Sequence, residues 1–252
     1  MREGYIAVLD SGVGGLSVLG EMIELMPNER YLYFGDNENA PYGNRTKMDL
    51  VSITLKNLDA IMRYKLKAIV VGCNTISTTI LKLVADYSGV PTFGVFPPIE
   101  KAVKESNSVL LLSTVRTALE FKNTKNISIL GLADLAKQIE NNVGDLSKVD
   151  FAKSINNPNN VFFSNSHNKN SRYDTVILGC THYFFVKNKI LDHFRPQNLI
   201  SGTPFTAGAV FRYLKSVKSI EKNNRFSIKF IGNSAYFNEQ FFKKSGQDIK
   251  KN

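Results

Sequence analysis

The sequence predicts an α/β fold of two similar domains, each with a mostly parallel sheet flanked by helices. Short β-branched apolar runs alternate with helical patterns along most of the chain, and this alternation is typical of parallel sheets. Two of the apolar runs end in the same way, with a glycine, a cysteine and then polar residues. Prolines interrupt the pattern near 91–98 and 201–205. We therefore expect residues 1–93 plus 205–252 to form one domain and residues 94–204 to form the other.

The chain opens with a strand, a glycine-rich turn and a helix, which together start a βαβ unit. The strand covers 5–9, the turn is Asp10-Ser-Gly-Val-Gly-Gly15, and the helical pattern covers 16–26. Glycines let a backbone approach a ligand closely, and a helix N-terminus attracts anions. The turn does not fit the dinucleotide-binding spacing, because Ser17 stands where that motif needs glycine. At this strand end, Asp10 either caps the helix or acts in catalysis.

Strands and helices continue to alternate through the rest of the chain. The later predicted strands cover 31–34, 68–71, a short run before Pro97, 109–112, 127–130, 175–178, 199–200 and 226–231. The later predicted helices cover 48–64, 76–85, 99–104, 132–143, 184–193, 205–217 and 236–244, with another opening at 113–117. Residues 153–172 are rich in Asn, Ser and Lys, which predicts a surface loop around a short strand or helix at 161–163.

The two cysteines of the chain, Cys73 and Cys180, both follow a strand and a glycine. Each therefore lies at the carboxyl end of a strand, where open α/β sheets bind ligands. A helix begins just after Cys73, and a helix N-terminus favours the thiolate over the thiol. A single such cysteine is more often a small buried hydrophobic residue. Two in matching positions predict one site between the two units.

Composition narrows the classes of protein that fit. Two distant cysteines do not make a disulfide framework, and without a Cys/His cluster we expect no metal site. The net charge is +10, but the basic residues are spread out, which favours a solvated basic surface over nucleic-acid binding. No apolar run approaches 18 residues and no apolar signal segment opens the chain, so we expect a cytoplasmic protein without a membrane span.

A set of short motifs, in chain order, resembles the glutamate racemases. The motifs are Asp10-Ser-Gly-Val-Gly-Gly15, Gly35-Asp36, Pro41-Tyr-Gly43, Gly72-Cys-Asn-Thr-Ile-Ser77 and Gly179-Cys-Thr-His-Tyr183. The resemblance extends over essentially the whole chain. It implies two α/β domains related by a pseudo-twofold axis, with the active site between them. It also implies cofactor-independent interconversion of L- and D-glutamate for peptidoglycan synthesis, by a homodimer.

The resemblance assigns the acid–base residues. Racemisation at an α-carbon needs a base on one face and an acid on the other, and Cys73 and Cys180 match these two groups. Asp10 and Asp36 match the residues that serve the first cysteine. The residues that match those serving the second cysteine are His182 and Glu140. On its position alone, Glu140 would be an exposed helix residue.

The resemblance also implies a pocket rich in hydroxyl and amide groups for the amino acid. The residues that match substrate contacts are Asp10, Ser11, Pro41, Tyr42, Gly43, Asn74, Thr75, Thr114, Thr117, Thr181 and His182. Phe184, Gly72, Ser201, Gly202 and Asn233 depart from the family pattern, and none of them is one of the thiols or their matched partners.

Three alternatives stay open at this point. One is a related racemase that acts on aspartate or another amino acid by the same two-thiol chemistry. Another is a non-catalytic binding protein on the same fold. The third is a dithiol redox protein, which requires the two sulfurs to approach to about 2 Å on oxidation.

Overall fold

The computed structural model describes residues 4–164, 172–223 and 225–249. In chain order the strands are β1 (Tyr5–Asp10), β2 (Arg30–Gly35), β3 (Leu66–Val71), β4 (Thr92–Gly94), β5 (Val109–Thr114), β6 (Ser128–Leu132), β7 (Val161–Ser164), β8 (Thr175–Gly179), β9 (Asn198–Ser201) and β10 (Ser227–Ile231). They form two five-stranded sheets.

Helices connect the strands. The α-helices are α1 (Gly15–Leu25), α2 (Lys47–Ile61), α3 (Asn74–Ser88), α4 (Ile99–Glu105), α5 (Val115–Phe121), α6 (Leu135–Asn141), α7 (Phe151–Ile155), α8 (Lys187–Phe194), α9 (Thr203–Ser216) and α10 (Ala235–Ile249). Short 3-10 helices cover Tyr42–Asn44, Leu146–Lys148 and Thr181–Val186. No helix in the described ranges is both long and apolar enough to cross a membrane.

The two sheets share one strand order and differ in the direction of one edge strand, which confirms the predicted fold class. The first sheet has the order β10-β2-β1-β3-β4 and the second has the order β7-β6-β5-β8-β9. In the described residues β6 and β7 pair antiparallel, and the other strand pairs are parallel. The strand before Cys73 is β3 and the strand before Cys180 is β8, and these hold the same place in the two sheets. The strands that follow β1 and β5 in the chain lie on both sides of them, so the direction of the chain across each sheet reverses there. Ligands of open α/β sheets bind at the carboxyl ends of the strands at such a point.

Both faces of each sheet are covered, as the unbroken apolar strands predict. Successive side chains of a strand point to opposite faces. Ile6 and Val8 of β1 therefore join the apolar cluster under α1 and α9, whereas Ala7 and Leu9 join the cluster under α2 and α3. The second sheet has a corresponding pair of clusters. This double burial leaves the carboxyl ends of the strands as the place for polar groups.

The end of the chain returns to the first sheet. α9 packs on α1, and β10 pairs with β2 in parallel. A buried ion pair between Lys67 and Glu29 holds the segment between α9 and β10, because the Lys67 Nζ also donates to the Ser219 carbonyl oxygen. The boundaries at 93/94 and 204/205 stay predictions.

Several element boundaries differ from the sequence prediction. Leu132 ends β6 instead of starting a helix, since its side chain is buried in the sheet core. The segment after Cys180 begins as a 3-10 helix, and α8 starts only at Lys187. In the stretch 153–172, β7 lies where a short strand or helix was predicted, but the end of α7 was not predicted. Residues 165–171 lie outside the described ranges.

Candidate active site

The two cysteines are free, buried and close enough for their charges to interact. Cys73 caps the N-terminus of α3 and Cys180 precedes the 3-10 helix that follows β8. Asp10 ends β1 and Thr114 ends β5, so the carboxyl ends of both sheets supply polar groups. The predicted placement of both thiols at strand ends therefore agrees with the structure.

The first thiol, Cys73, has polar neighbours but little exposure to water. Its side chain bonds with Ser11, and the Ile76 backbone N–H at the start of α3 donates to it. Burial, reinforced by the neighbouring Asp10 carboxylate, raises the pKa of the Cys73 thiol to about 12. The start of the helix does favour the thiolate, as expected, because the Ile76 N–H lowers the pKa, but burial has the larger effect. Loss of hydration disfavours the charged form more than one helix end favours it.

Cys73 alkylation should follow this raised pKa. Only the thiolate reacts, so the rate with iodoacetamide should rise about tenfold per pH unit from pH 7 to 9. Asp10→Asn removes a negative neighbour and should speed the reaction at pH 8. Asp86→Asn is the matched control, because Asp86 lies exposed on α3, and it should leave the rate unchanged. Mass spectrometry of the Cys73 peptide measures the rate, and a plateau below pH 9 would contradict the raised pKa.

The second thiol, Cys180, lies beside a histidine that is bound in turn by a carboxylate. The Cys180 Sγ is 3.8 Å from the His182 Nδ1, and the His182 Nε2 is 2.5 Å from the Glu140 Oε1. Burial lowers the pKa of His182, but hydrogen bonds to Cys180 and Glu140 outweigh burial and raise it well above its ordinary value. His182 is therefore placed to hold a proton between the thiol and the carboxylate.

Glu140 is not the exposed helix residue that its position alone suggested. Its side chain is 9% exposed. The Oε1 accepts from the Val13 backbone N–H at 2.7 Å, and the Oε2 accepts from the Asn37 Nδ2 at 2.8 Å. α6 packs against the second sheet, whereas Val13 and Asn37 follow strands of the first sheet. These bonds therefore join the two halves of the protein. The sequence could not reveal this contact, because Glu140 and Val13 are 127 positions apart.

Other contacts join the two halves at the same place. The Thr181 Oγ1 donates to the Asp10 Oδ2 at 3.4 Å. The Thr75 Oγ1 lies 3.1 Å from the Thr114 Oγ1 and 3.3 Å from the Thr117 Oγ1. Five of the predicted site residues therefore meet across the two sheets, as hydroxyl and carboxylate groups within hydrogen-bonding range.

Three glycines of the predicted motifs let the two halves come this close. A Cβ on Gly12 would lie 1.8 Å from the Glu140 Oε1, and a Cβ on Gly14 would lie 2.4 Å from the His182 Nδ1. Similarly, a Cβ on Gly43 would lie 2.5 Å from the Thr114 Cβ. These glycines are needed for the close approach of the opposite domain.

Asp36 lies in a hydrogen-bonded cluster next to the first thiol. Its carboxylate accepts from the Tyr42 hydroxyl at 2.6 Å, from the Asn57 Nδ2 at 2.9 Å and from the Asn39 Nδ2 at 3.0 Å. Tyr42 is near enough to Cys73 for the sulfur to contribute to the raised pKa of its phenol, after burial and Asp36. Asp36 therefore reaches the Cys73 side of the site through Tyr42.

The remaining predicted substrate contacts differ in what they can offer. The Asn74 Nδ2 donates to the Val95 carbonyl oxygen, and its Oδ1 is buried without a hydrogen-bond partner among the described residues. Ser11 bonds with Cys73 and is buried. Pro41 follows a cis peptide bond and starts the short helix that carries Tyr42 and Gly43. Its place suggests that it shapes this loop.

The sequence analysis missed polar residues that support the site. Asn57 lies on the buried face of α2, seven positions after the core residue Leu50, so its helical phase was an available signal. Asn37 directly follows Asp36 and binds Glu140. Tyr33, a buried strand residue, donates to the Gly12 carbonyl oxygen at 2.6 Å. Among the described residues, no group of three or more His, Cys, Asp or Glu side chains could hold a metal ion.

Comparison with known proteins identifies the relatives of this chain. No protein-family model matches it. The glutamate racemase of Clostridium perfringens strain 13 is 32% identical over 252 aligned residues, which cover 94% of this chain and 92% of that protein. The glutamate racemase of Clostridium botulinum strain Alaska E43 is 36% identical over 202 aligned residues, which cover 74% of this chain and 75% of that protein.

A solved structure extends the likeness to the fold. The crystal structure of glutamate racemase isoform RacE1 from Bacillus anthracis superposes with a TM-score of 0.78 at 26% identity, over 99% of this chain and 95% of that chain. The sequence and structural similarities both cover nearly the full length, including both sheets. The chain therefore belongs to the glutamate racemase family.

Proposed function

We propose that this protein interconverts L- and D-glutamate by moving the α-proton between two thiols, Cys73 and Cys180, without a cofactor. One thiolate removes the α-proton, and the opposite thiol gives a proton to the other face of the carbanion. The roles reverse for the other enantiomer. The observation that carries the proposal is the equivalent position of the two cysteines in two sheets of the same strand order, each with its own polar partners.

The two thiols need different help to exchange protons near neutral pH. His182, held by Glu140, can take the Cys180 proton or stabilise the thiolate that remains. Cys73 lies beside the Asp10 carboxylate, and burial raises its pKa, so its thiolate needs a positive neighbour. The ammonium group of the substrate supplies that charge when it enters the site. Binding of the amino acid is thereby coupled to activation of the base.

The polar residues around the thiols suit an amino acid with an extra carboxylate. The Asn74 Oδ1 can accept a hydrogen bond from the substrate ammonium. The hydroxyls of Thr75, Thr114 and Thr117 can donate to a carboxylate. Ser11, Tyr42, Gly43 and Thr181 complete the same lining. Dense hydrogen bonding and exclusion of water then stabilise the charge that develops on the substrate in the transition state.

The proposal is tested by incubating the reduced, folded protein with L-glutamate in D2O, without added cofactor. We expect optical rotation to vanish while deuterium replaces the α-proton. Two-base chemistry also predicts that D-glutamate formed early in the reaction carries deuterium at the α-carbon. Failure of both glutamate enantiomers to exchange would overturn the proposal. Aspartate, tested in parallel, identifies the related racemase if it alone reacts, and binding without exchange identifies the non-catalytic alternative.

We further propose that the protein acts in the cytoplasm as a homodimer and supplies D-glutamate for peptidoglycan. The support is the family resemblance of the motifs, which implies both the assembly and the pathway. Light scattering coupled to size-exclusion chromatography tests the assembly, with twice the 28.2 kDa chain mass expected. A monomer mass at micromolar concentration would contradict the dimer.

A further inference from the structure

The carboxylate beside His182 is held from the first domain by a chain of two amides. The Asn37 Nδ2 donates to the Glu140 Oε2 at 2.8 Å, and the Asn37 Oδ1 accepts from the Asn238 Nδ2 at 2.9 Å. Asn238 lies on α10 and is fully buried. A continuous path of polar contacts therefore runs from the C-terminal helix to Cys180.

The orientation of each amide follows from its partners. The Asn238 Nδ2 also lies 3.4 Å from the Gly35 carbonyl oxygen, whereas its Oδ1 has no partner among the described residues. A flipped Asn238 would set its oxygen against the Gly35 and Asn37 oxygens, which is unfavourable. Asn238 thus keeps the Asn37 oxygen as the acceptor. The Asn37 NH₂ group then points at Glu140 as a donor.

This arrangement presents hydrogen-bond donors to both oxygens of the Glu140 carboxylate. Val13 and His182 bind the Oε1, and Asn37 binds the Oε2. A carboxylate held at both oxygens has a fixed plane, and this fixes the direction of the His182 ring. The Cys73 side has different hydrogen-bond partners, Ser11 and the Ile76 N–H. A disturbance of the amide chain should therefore affect one thiol and spare the other.

We propose that Asn37 and Asn238 are positioning residues for proton transfer at Cys180, acting through Glu140 and His182. The role in turnover rests on the proposed function. Neither amide contacts Cys180 directly, and Asn238 of α10 reaches Glu140 through Asn37. Asn238 acts on Glu140 through Asn37. In a variant without Asn37, replacing Asn238 should therefore have no further effect on proton transfer at Cys180.

The test uses Asn37→Leu, Asn238→Leu and the double variant. Gln240→Leu is the matched control, because Gln240 is exposed on the same helix. We expect Asn37→Leu to lower kcat about tenfold with KM nearly unchanged, since it removes a hydrogen bond to a charged group. Asn238→Leu should lower kcat by a few fold alone and not at all in the Asn37→Leu background. Gln240→Leu should match the native protein.

A second measurement separates positioning from loss of structure. Iodoacetamide alkylation, followed by mass spectrometry of each cysteine peptide, gives the rate ratio of Cys180 to Cys73 without substrate. We expect this ratio to fall at least threefold in Asn37→Leu, because a loosened His182 stabilises the Cys180 thiolate less. Equal changes at both thiols, or additive losses in the double variant, would overturn the proposal.

The two measurements also separate this proposal from the proposed function. If the protein does not racemise glutamate, the proposed function is wrong. The alkylation ratio would still show whether the two amides position His182 beside Cys180. If Asn238→Leu does not fold, the ratio of Cys180 to Cys73 alkylation in Asn37→Leu decides the proposal. Asn37 is only half-buried and does not lie in α10, so its replacement should leave the fold intact.

Discussion

Cys73→Ala and Cys180→Ala should each lower kcat/KM for glutamate racemisation by about 10³-fold or more. Each thiol is the proton donor or acceptor on one face, and removing a positioned acid–base group typically costs a factor of about 10²–10⁴. Alanine has no proton to exchange, so the loss should lie at the upper end. Racemisation is followed by circular dichroism from both enantiomers. Because the enantiomers have equal free energy, kcat/KM should fall equally in the two directions.

The same two variants should differ in the hydrogen exchange that remains. A single remaining thiol can remove and return the α-proton on one face only, so it should exchange deuterium into one enantiomer without inverting it. Cys73→Ala and Cys180→Ala should therefore favour opposite enantiomers in D2O. Exchange of the same enantiomer by both variants would contradict the two-face mechanism. Unchanged melting temperatures would show that both variants keep the fold, and unchanged turnover would contradict the role of the thiols in proton transfer.

Gly14→Ala should lower kcat/KM about 100-fold, although alanine suits this backbone. Gly14 has helical dihedral angles (φ −54°, ψ −43°), which alanine adopts without backbone strain. The added methyl would lie 2.4 Å from the His182 Nδ1 and 2.5 Å from the Thr181 Oγ1. Both side chains are buried, so the steric clash can be relieved only if the segment that follows Cys180 moves. A shift of about 1 Å near reacting groups can cost about 10² in rate.

Gly208→Ala is the matched control for this substitution. Gly208 lies within α9, and the nearest atom to an added methyl is the end of the flexible Arg212 side chain at 3.2 Å. We expect native activity and equal or higher thermal stability. Steady-state kinetics and melting temperatures compare the two variants. Native kcat/KM in Gly14→Ala would show that the two halves tolerate a wider separation than this geometry indicates.

Local sequence was sufficient for the fold class and the placement of the thiols. The run 68–71 is too short and too β-branched for a helix, and the glycine, cysteine and polar residues after it mark a strand end followed by a helix. The same reasoning holds for Cys180, whose strand β8 is buried throughout. These predictions succeed because strand periodicity, glycine and helix caps act over only a few residues.

Contacts between distant segments could not be predicted from such local signals. Asn37, Asn57 and Asn238 have no motif of their own, and their partners are 15 to 203 positions away. Glu140 looked like a surface helix residue until α6 was placed against Val13. The helix end near Cys73 was visible in the sequence, but the burial that raises its pKa was not.

The alternating α/β pattern, the duplicated cysteine units and the family resemblance depend on residue type and short-range spacing, so they could be predicted from local sequence. Packing of the two domains sets which polar groups bind Glu140 and Asp36, how close Gly14 lies to His182, and how strongly water is excluded from Cys73. Those features depend on distances between two domains and on the hydration that each group loses. Both quantities arise when the domains pack together, and neither is encoded in any single segment.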